Sequence, residues 1–124
     1  MEYFGSKKWI IPGGYIPFKS TGKEPAFLSQ DRISILNINN DTATVRITIF
    51  YREDEAVEYA PVKVKGRRLR KIRINDLINP FPVILEKEYS IMIESDEPVV
   101  VQFIKINTGQ NSLALMGTMA FGTD

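Results

Sequence analysis

The stretch that decides the fold is Ala43–Tyr51, which reads A-T-V-R-I-T-I-F-Y. Its valine and two isoleucines share one parity, while its threonines and arginine share the other. This period-two alternation of β-branched residues is typical of a half-buried strand. The turn-forming triplet N-N-D at 39–41 precedes it, and the β-like run Arg32–Ile38 precedes the triplet. We therefore predict that these two strands form a hairpin.

Other stretches of the chain are also β-like and are separated by turn residues, with a turn predicted at Asp96–Pro98. Short strands at this spacing, without a long stretch of helical period, predict an antiparallel sandwich or barrel. We favour an all-β antiparallel β-sandwich of seven or eight strands, as a single domain over residues 1–124. The further predicted strands are Trp9–Ile11, Glu58–Val64, Arg70–Ile74, Tyr89–Ser95, Val99–Asn107 and Leu113–Phe121.

The composition excludes several classes of enzyme. The 124 residues include no histidine and no cysteine. A Ser-His-Asp triad, a thiolate nucleophile and a zinc–thiolate site are therefore impossible. The 16 basic and 15 acidic residues nearly cancel, so the chain has no overall attraction to nucleic acid or to an anionic membrane. We predict a non-enzymatic binding or interaction module with no cofactor and no metal.

No stretch is typical of secretion or of membrane insertion. Met1–Lys8 lacks the apolar core of a secretory signal. The most apolar stretch, Val99–Ile106, contains a glutamine and a lysine and is far shorter than the ~20 residues that span a bilayer. These features predict a cytoplasmic protein.

The most conspicuous charge feature is a basic run, Lys63–Arg73, in which seven of the eleven residues are Lys or Arg. One interpretation is a solvated strand pair or a protein interface, with the acidic stretch Glu53–Glu58 facing it. The other is a site for phosphate or nucleic acid. The run contains no aromatic residue on which bases would stack. We favour the first interpretation and place nucleic acid second.

Two long loops, Pro12–Ser29 and Asn75–Glu88, interrupt the strand pattern and carry aromatic or large apolar residues. They either cover the ends of the sandwich or form the rim of a ligand or partner site. Gln102 lies among apolar neighbours. If it faces inward, its amide needs a hydrogen-bond partner, for which we favour a structural network over a subunit contact or a polar ligand.

The last predicted strand, Leu113–Phe121, is apolar on both parities. It is either a central strand covered by a loop of the same chain or part of a subunit interface. We favour the interface, and therefore a closed homo-oligomer.

Several segments, in order along the chain, resemble the family of small soluble transducers of microbial sensory rhodopsin. The resemblance covers nearly the whole chain without large gaps. The segments are W-I-I-P-G-G-Y-I-P (9–17), E-P-A-F-L-S-Q-D-R-I-S-I-L-N (24–37), I-T-I-F-Y (47–51), R-R-L-R-K-I-R-I-N-D-L (67–77), P-V-V-V-Q (98–102) and A-L-M-G-T-M-A-F (114–121).

This resemblance implies a β-sandwich, a homotetramer, no enzymatic activity, and a signal received from a membrane photoreceptor on the cytoplasmic side. Sugar-related binding and DNA binding have both been suggested for the group. The family's pattern carries histidines that this chain lacks, so no histidine-dependent step is expected here. The candidate site positions that the resemblance implies are Trp9, Tyr15, Glu24, Arg67, Arg68, Arg73, Asn75, Asp76 and Gln102.

Three functions follow from these observations. The first is a signalling or adaptor protein that binds a photoreceptor or another signalling protein through loops and charged strands. The second is a module for a small polar ligand such as a sugar, and the third, which we favour least, is a DNA-binding regulator that uses Lys63–Arg73. The sugar site would use Trp9, Tyr15 and Tyr51 for stacking and Arg73, Asp76 or Gln102 for hydroxyl groups.

Overall fold

The computed structural model describes residues 4–14, 30–80, 82–84, 87–107, 114–119 and 121–123. Within these ranges the regular structure consists of nine strands and one 3₁₀ turn, Ile74–Asp76. All strand pairs are antiparallel, so the predicted all-β antiparallel fold is confirmed. The strands are β1 (Ser6–Gly14), β2 (Gln30–Asn37), β3 (Ala43–Tyr51), β4 (Val57–Glu58), β5 (Val62–Val64), β6 (Arg68–Arg73), β7 (Tyr89–Asn107), β8 (Ala114–Met119) and β9 (Phe121–Thr123).

Strand β7 is 19 residues long and takes part in both layers of the fold. Its first half pairs with β3 on one side and β1 on the other, and these strands also carry β4, β5 and β9. Its second half pairs with β2 and β8, and β2 also pairs with β6. We call these layers the first sheet and the second sheet.

The core lies between the two sheets and is built from one parity of each strand. In β3 the burial alternates along the strand as the sequence predicts. Each fully buried isoleucine contributes about 1.5–3 kcal/mol relative to an exposed one. The isoleucines at the centre of the core are Ile33 and Ile35 from β2, Ile47 and Ile49 from β3, and Ile91 and Ile93 from β7.

The predicted hairpin of β2 and β3 is wrong. Strand β2 pairs with β6 and β7, whereas β3 pairs with β4, β5 and β7. The 39–41 triplet instead carries the chain from one sheet to the other. The buried Asn37 amide fixes this crossing, because its Nδ2 donates to the carbonyl oxygens of Asp41 at 2.8 Å and Val64 at 3.0 Å.

The predicted turn at Asp96–Pro98 is also wrong, because β7 continues through it. The strand changes sheets here, and the register with β1 shifts between the pairs Lys8–Glu94 and Ser6–Val99. Proline is tolerated where a strand changes partners, since it has no N–H to donate to the ladder. The Asp96 carboxylate accepts the backbone N–H of Thr44 at 2.7 Å and so joins the crossing to β3.

Two tight turns pack against each other at this end of the sandwich. A Cβ on Gly66 would overlap the carbonyl oxygen of Asn40. The next residue, Arg67, has a φ of 56°, and its N–H donates to the carbonyl oxygen of Asn39 at 3.0 Å. Close backbone approach therefore requires glycine at position 66.

We expect Gly66→Ala to lower the free energy of unfolding by roughly 2–3 kcal/mol, because the new methyl group forces the two turns apart. Gly13→Ala is the matched control, since a Cβ built there meets no atom of the described residues within 4 Å, apart from its own chain neighbours. The control should change stability by no more than about 0.5 kcal/mol. Urea denaturation of both variants measures the difference, and equal stabilities would contradict the proposed clash.

Candidate functional site at one end of the sandwich

A buried carboxylate closes the opposite end of the core. Asp31, on β2, is only 1% exposed. The hydroxyl of Tyr89 donates to Asp31 Oδ2, and Lys105 Nζ lies 3.5 Å from Asp31 Oδ1. Tyr89 begins β7 and Lys105 lies near its end. The two ends of β7, which lie in different sheets, therefore meet at the Asp31 carboxylate.

The register of the strands explains this meeting. Asp31 lies directly opposite Lys105 in the second sheet, just as Ile33 lies opposite Phe103. Asp31 and Lys105 therefore share the parity of core residues and face the interior. Tyr89 has the parity of the buried Ile91 in the first sheet, so its ring reaches the carboxylate from the other layer.

The environment keeps Tyr89 protonated. Burial, and after it the neighbouring Asp31 carboxylate, raise the pKa of Tyr89 well above its usual value. The hydroxyl is therefore a donor throughout the neutral range. Burial, followed by the nearby Tyr51, also raises the pKa of Tyr59 to about 12. The buried Asp31 carboxylate needs partners such as Tyr89 and Lys105, because a charge removed from water is costly unless it is paired and hydrogen-bonded.

A cleft of about 620 Å³ opens over this cluster. That volume lies within the range of small-molecule sites. Tyr51 is half-buried in the cleft wall, where its hydroxyl accepts the backbone N–H of Ile84 at 3.2 Å. The residues that line the cleft are Pro12, Gly13, Phe50, Tyr51, Arg52, Glu88, Tyr89, Ser90 and Lys105.

Among the predicted site residues that the structure describes, only Tyr51 lines this cleft. Trp9 is 7% exposed, and its Nε1–H is directed at the carbonyl oxygens of Ser6 at 2.9 Å and Val99 at 3.0 Å. Trp9 is therefore a core residue without a free face for sugar stacking. Gln102 is exposed on the outer side of β7, so it forms no buried network. Tyr15 and Glu24 lie outside the described residues.

The remaining candidates are divided between the two ends of β6. Arg73, Asn75 and Asp76 lie together at the 3₁₀ turn, where Arg73 Nη2 bonds Asp76 Oδ1 at 3.0 Å. This group lies at the Asp31 end, because Arg73 is paired with Arg32, the neighbour of Asp31. Arg67 and Arg68 lie at the other end and are exposed. The candidates thus form no single site.

Sequence reasoning missed Asp31, Tyr89 and Lys105 as site residues. The available signal was parity, because Lys105 has the same parity as the apolar residues at 101 and 103, whereas Gln102 has the opposite one. A charged residue on the apolar parity of a strand must find a buried partner or lie at an open end of the core. Lys105 does both.

Within the described ranges, no three Asp or Glu side chains gather into a group that would hold a metal ion. In the same ranges, no helix is long and apolar enough to cross a membrane. What the Asp31 end of the sandwich offers is a set of hydrogen-bonding and ionic groups at the edge of an apolar core. This arrangement is suited to binding a polar molecule.

Comparison with known proteins identifies the family. The family model described as Anabaena sensory rhodopsin transducer matches residues 4–122. The chain belongs to this family. The resemblance drawn from the sequence segments is therefore confirmed, and the family is one of signalling proteins.

Two solved structures are similar to this chain over most of its length. The Anabaena sensory rhodopsin transducer has 38% sequence identity and a TM-score of 0.74, covering 82% of this chain and 89% of that chain. The crystal structure of Thermotoga maritima 1070 has 31% identity and a TM-score of 0.85, covering 96% of each chain. Among curated proteins, none matches.

We expect Tyr89→Phe to lower the free energy of unfolding by about 1.5–3 kcal/mol, because it removes a hydrogen bond to a buried carboxylate. Tyr51→Phe is the matched control. It removes a hydrogen bond between neutral groups in a half-buried position and should cost only about 0.5–1.5 kcal/mol. Chemical denaturation compares the two variants. If Tyr89→Phe is no more destabilising than its control, Asp31 does not hold the two sheets together through this hydroxyl.

Proposed function

We propose that this chain is a non-enzymatic, cytoplasmic signal transducer that acts as a homo-oligomer and binds another protein. The partner we propose first is a membrane photoreceptor of the sensory rhodopsin type. The observation that carries the proposal is the family match over residues 4–122, together with 38% identity to the Anabaena sensory rhodopsin transducer.

A surface suited to this role lies where β6 borders the second sheet. We call it the basic edge and define it as Leu36, Arg68, Leu69 and Lys71. All four residues are exposed, and the two leucines are directly paired across β2 and β6. Lys71 shares one face of β6 with Leu69, and Arg68 precedes Leu69 at the start of the strand. Apolar side chains next to cations combine the burial and the charge complementarity that a protein interface needs.

The charge of this edge is available to a partner. Asp54, from the acidic stretch that was expected to face the basic run, instead pairs with Lys87 at 2.8 Å. Among the described residues, Arg68 donates only to the carbonyl oxygen of its neighbour Arg67, at 3.2 Å. Exposed cations on an edge strand also prevent unwanted strand pairing. A partner that docks here would therefore be acidic. It would contact the side chains of the basic edge and would not pair with the backbone of β6.

The partner proposal predicts that a double charge reversal, Arg68→Glu with Lys71→Glu, weakens binding to purified sensory rhodopsin in lipid nanodiscs by tenfold or more. The reversal replaces attraction to an acidic partner with repulsion. The matched control is Lys7→Glu with Arg46→Glu, since both residues are exposed on β1 and β3 of the first sheet. Biolayer interferometry measures both affinities. Equal effects of the two double variants, or no binding by the unmodified chain, would count against this partner surface.

The oligomer proposal predicts a mass in solution of about four times the chain mass of 14.1 kDa, measured by light scattering after size exclusion. The last strand, from which this prediction was drawn, has side chains outside the described set. An exposed isoleucine, Ile10 on β1, fits a contact with a second copy. Ile10→Lys should lower the mass, whereas Ile78→Lys, at another exposed isoleucine, should not. A monomeric mass for the unmodified chain would contradict the proposal.

The sugar and DNA alternatives have less support. The sugar interpretation assigned stacking to Trp9, which is buried, and hydroxyl binding to Arg73 and Asp76, which bond each other. The DNA interpretation relied on the basic run as one surface, but successive residues of β6 face opposite sides of the sheet, and Arg73 is paired with Asp76. We therefore propose neither of them.

A further inference from the structure

Two opposite charges stand at the mouth of the 620 Å³ cleft. Tyr51 and Tyr89 are the last pair of β3 and β7, and Arg52 and Glu88 adjoin this pair just beyond the ends of the two strands. Both are exposed and both line the cleft. Opposite charges on facing positions ordinarily interact. In the described part of the chain, however, neither residue makes an ion pair or a side-chain hydrogen bond.

The floor of the cleft is charged but balanced. The Lys105 side chain is 24% exposed and lines the cleft, while Asp31 lies behind it and neutralises it. Arg52 and Glu88 balance each other at the mouth. A ligand with a net charge would leave one of these groups facing a like charge or without a partner. A ligand that carries one positive and one negative group would satisfy both groups.

The walls of the cleft add apolar surface. Phe50 and Tyr51 line the β3 side of the cleft, and Pro12 lines it from β1, on the other side of β7. Apolar walls with a few charged groups are the usual composition of a small-molecule site. The volume also leaves room for a side chain in addition to the charged groups.

We infer that this cleft binds a small zwitterion of the amino-acid class. Arg52 binds the carboxylate, Glu88 binds the ammonium group, and Phe50 and Tyr51 contact an apolar side chain. Lys105 supplies a further donor at the floor, held in place by Asp31. This inference goes beyond the transducer proposal and does not rest on it, because the basic edge contributes no residue to the cleft.

The test is a screen of the twenty standard amino acids, each added singly to the full chain, by thermal shift and then by isothermal titration calorimetry. At least one amino acid with an aromatic or aliphatic side chain should raise the melting temperature, because a ligand that binds the native state stabilises it. Its N-acetyl derivative lacks the ammonium charge and its amide lacks the carboxylate. Each derivative should bind at least about tenfold more weakly, which corresponds to ~1.4 kcal/mol.

Variants of the chain test the two charges separately. Arg52→Gln and Glu88→Gln should each weaken binding of that amino acid about tenfold or more. Both residues are exposed, so neither change should impair folding. The matched controls are Arg46→Gln and Glu58→Gln, which remove exposed charges away from the cleft. The controls should leave the affinity unchanged.

Three results would overturn the inference. The first is that no amino acid binds. The second is that the binding of an amino acid is unaffected by Arg52→Gln and Glu88→Gln, or is reduced to the same extent by the controls. The third is that a neutral sugar such as glucose binds in the cleft while no amino acid does, which would assign the cleft to a polyol. None of these results depends on whether the chain binds sensory rhodopsin.

Discussion

The structure depends on β7, which belongs to both sheets and keeps the same side toward the core along its length. Along β7 the odd-numbered residues point inward in both halves, from Ile91 and Ile93 in the first sheet to Val101 and Phe103 in the second. The crossing at Asp96–Pro98 preserves this parity, since Ile93 and Val99 are both fully buried. The two ends of the strand are therefore brought inward together, and Tyr89 and Lys105 meet at Asp31.

This constraint makes the two ends of the sandwich different. At the crossing end, the backbone closes the core through close approaches such as those of Gly66 to Asn40 and of Gly5 to Val99. At the other end, a carboxylate with partners from both sheets closes it, and a cleft remains above. A one-residue slip of β2 would turn Asp31 to the outer face and remove its partners. The buried cluster of Asp31, Tyr89 and Lys105 thus specifies the register of β2. It also places polar groups at the open end of the core, below the cleft.

The alternation of residue types predicted much of this fold. The bounds predicted for β3 are those observed, and β2 differs from its prediction by only a few residues. Pairing was not predictable from the same signal, because a turn-forming triplet such as 39–41 indicates where a strand ends and not which sheet the chain enters next. The continuity of β7 was missed because Asp96–Pro98 has turn-forming residue types. The shared parity of the apolar residues Ile93 and Val99, on either side of this segment, was the better guide.

The candidate site was harder to predict, because the type of a single residue, taken without the parity of its strand, does not show which way that residue faces. Aromatic Trp9 and amide Gln102 were attractive by type, but the first is core and the second lies on the outer surface. No role was predicted for Asp31 or Lys105, because residue type alone does not show that these two charges are paired in the interior. Their positions in the register, at the open end of the core, decide their role.

The two proposed surfaces are separable for the same geometric reason. Arg52 and Glu88 lie just beyond the last pair of β3 and β7, in the first sheet. The basic edge lies on β2 and β6 of the second sheet, and its leucine pair is five residues along β2 from Asp31. Sites this far apart without shared partners are expected to contribute independently to stability and binding. A small-molecule site and a protein-binding surface can therefore coexist on this sandwich, and each has its own residues by which it is tested.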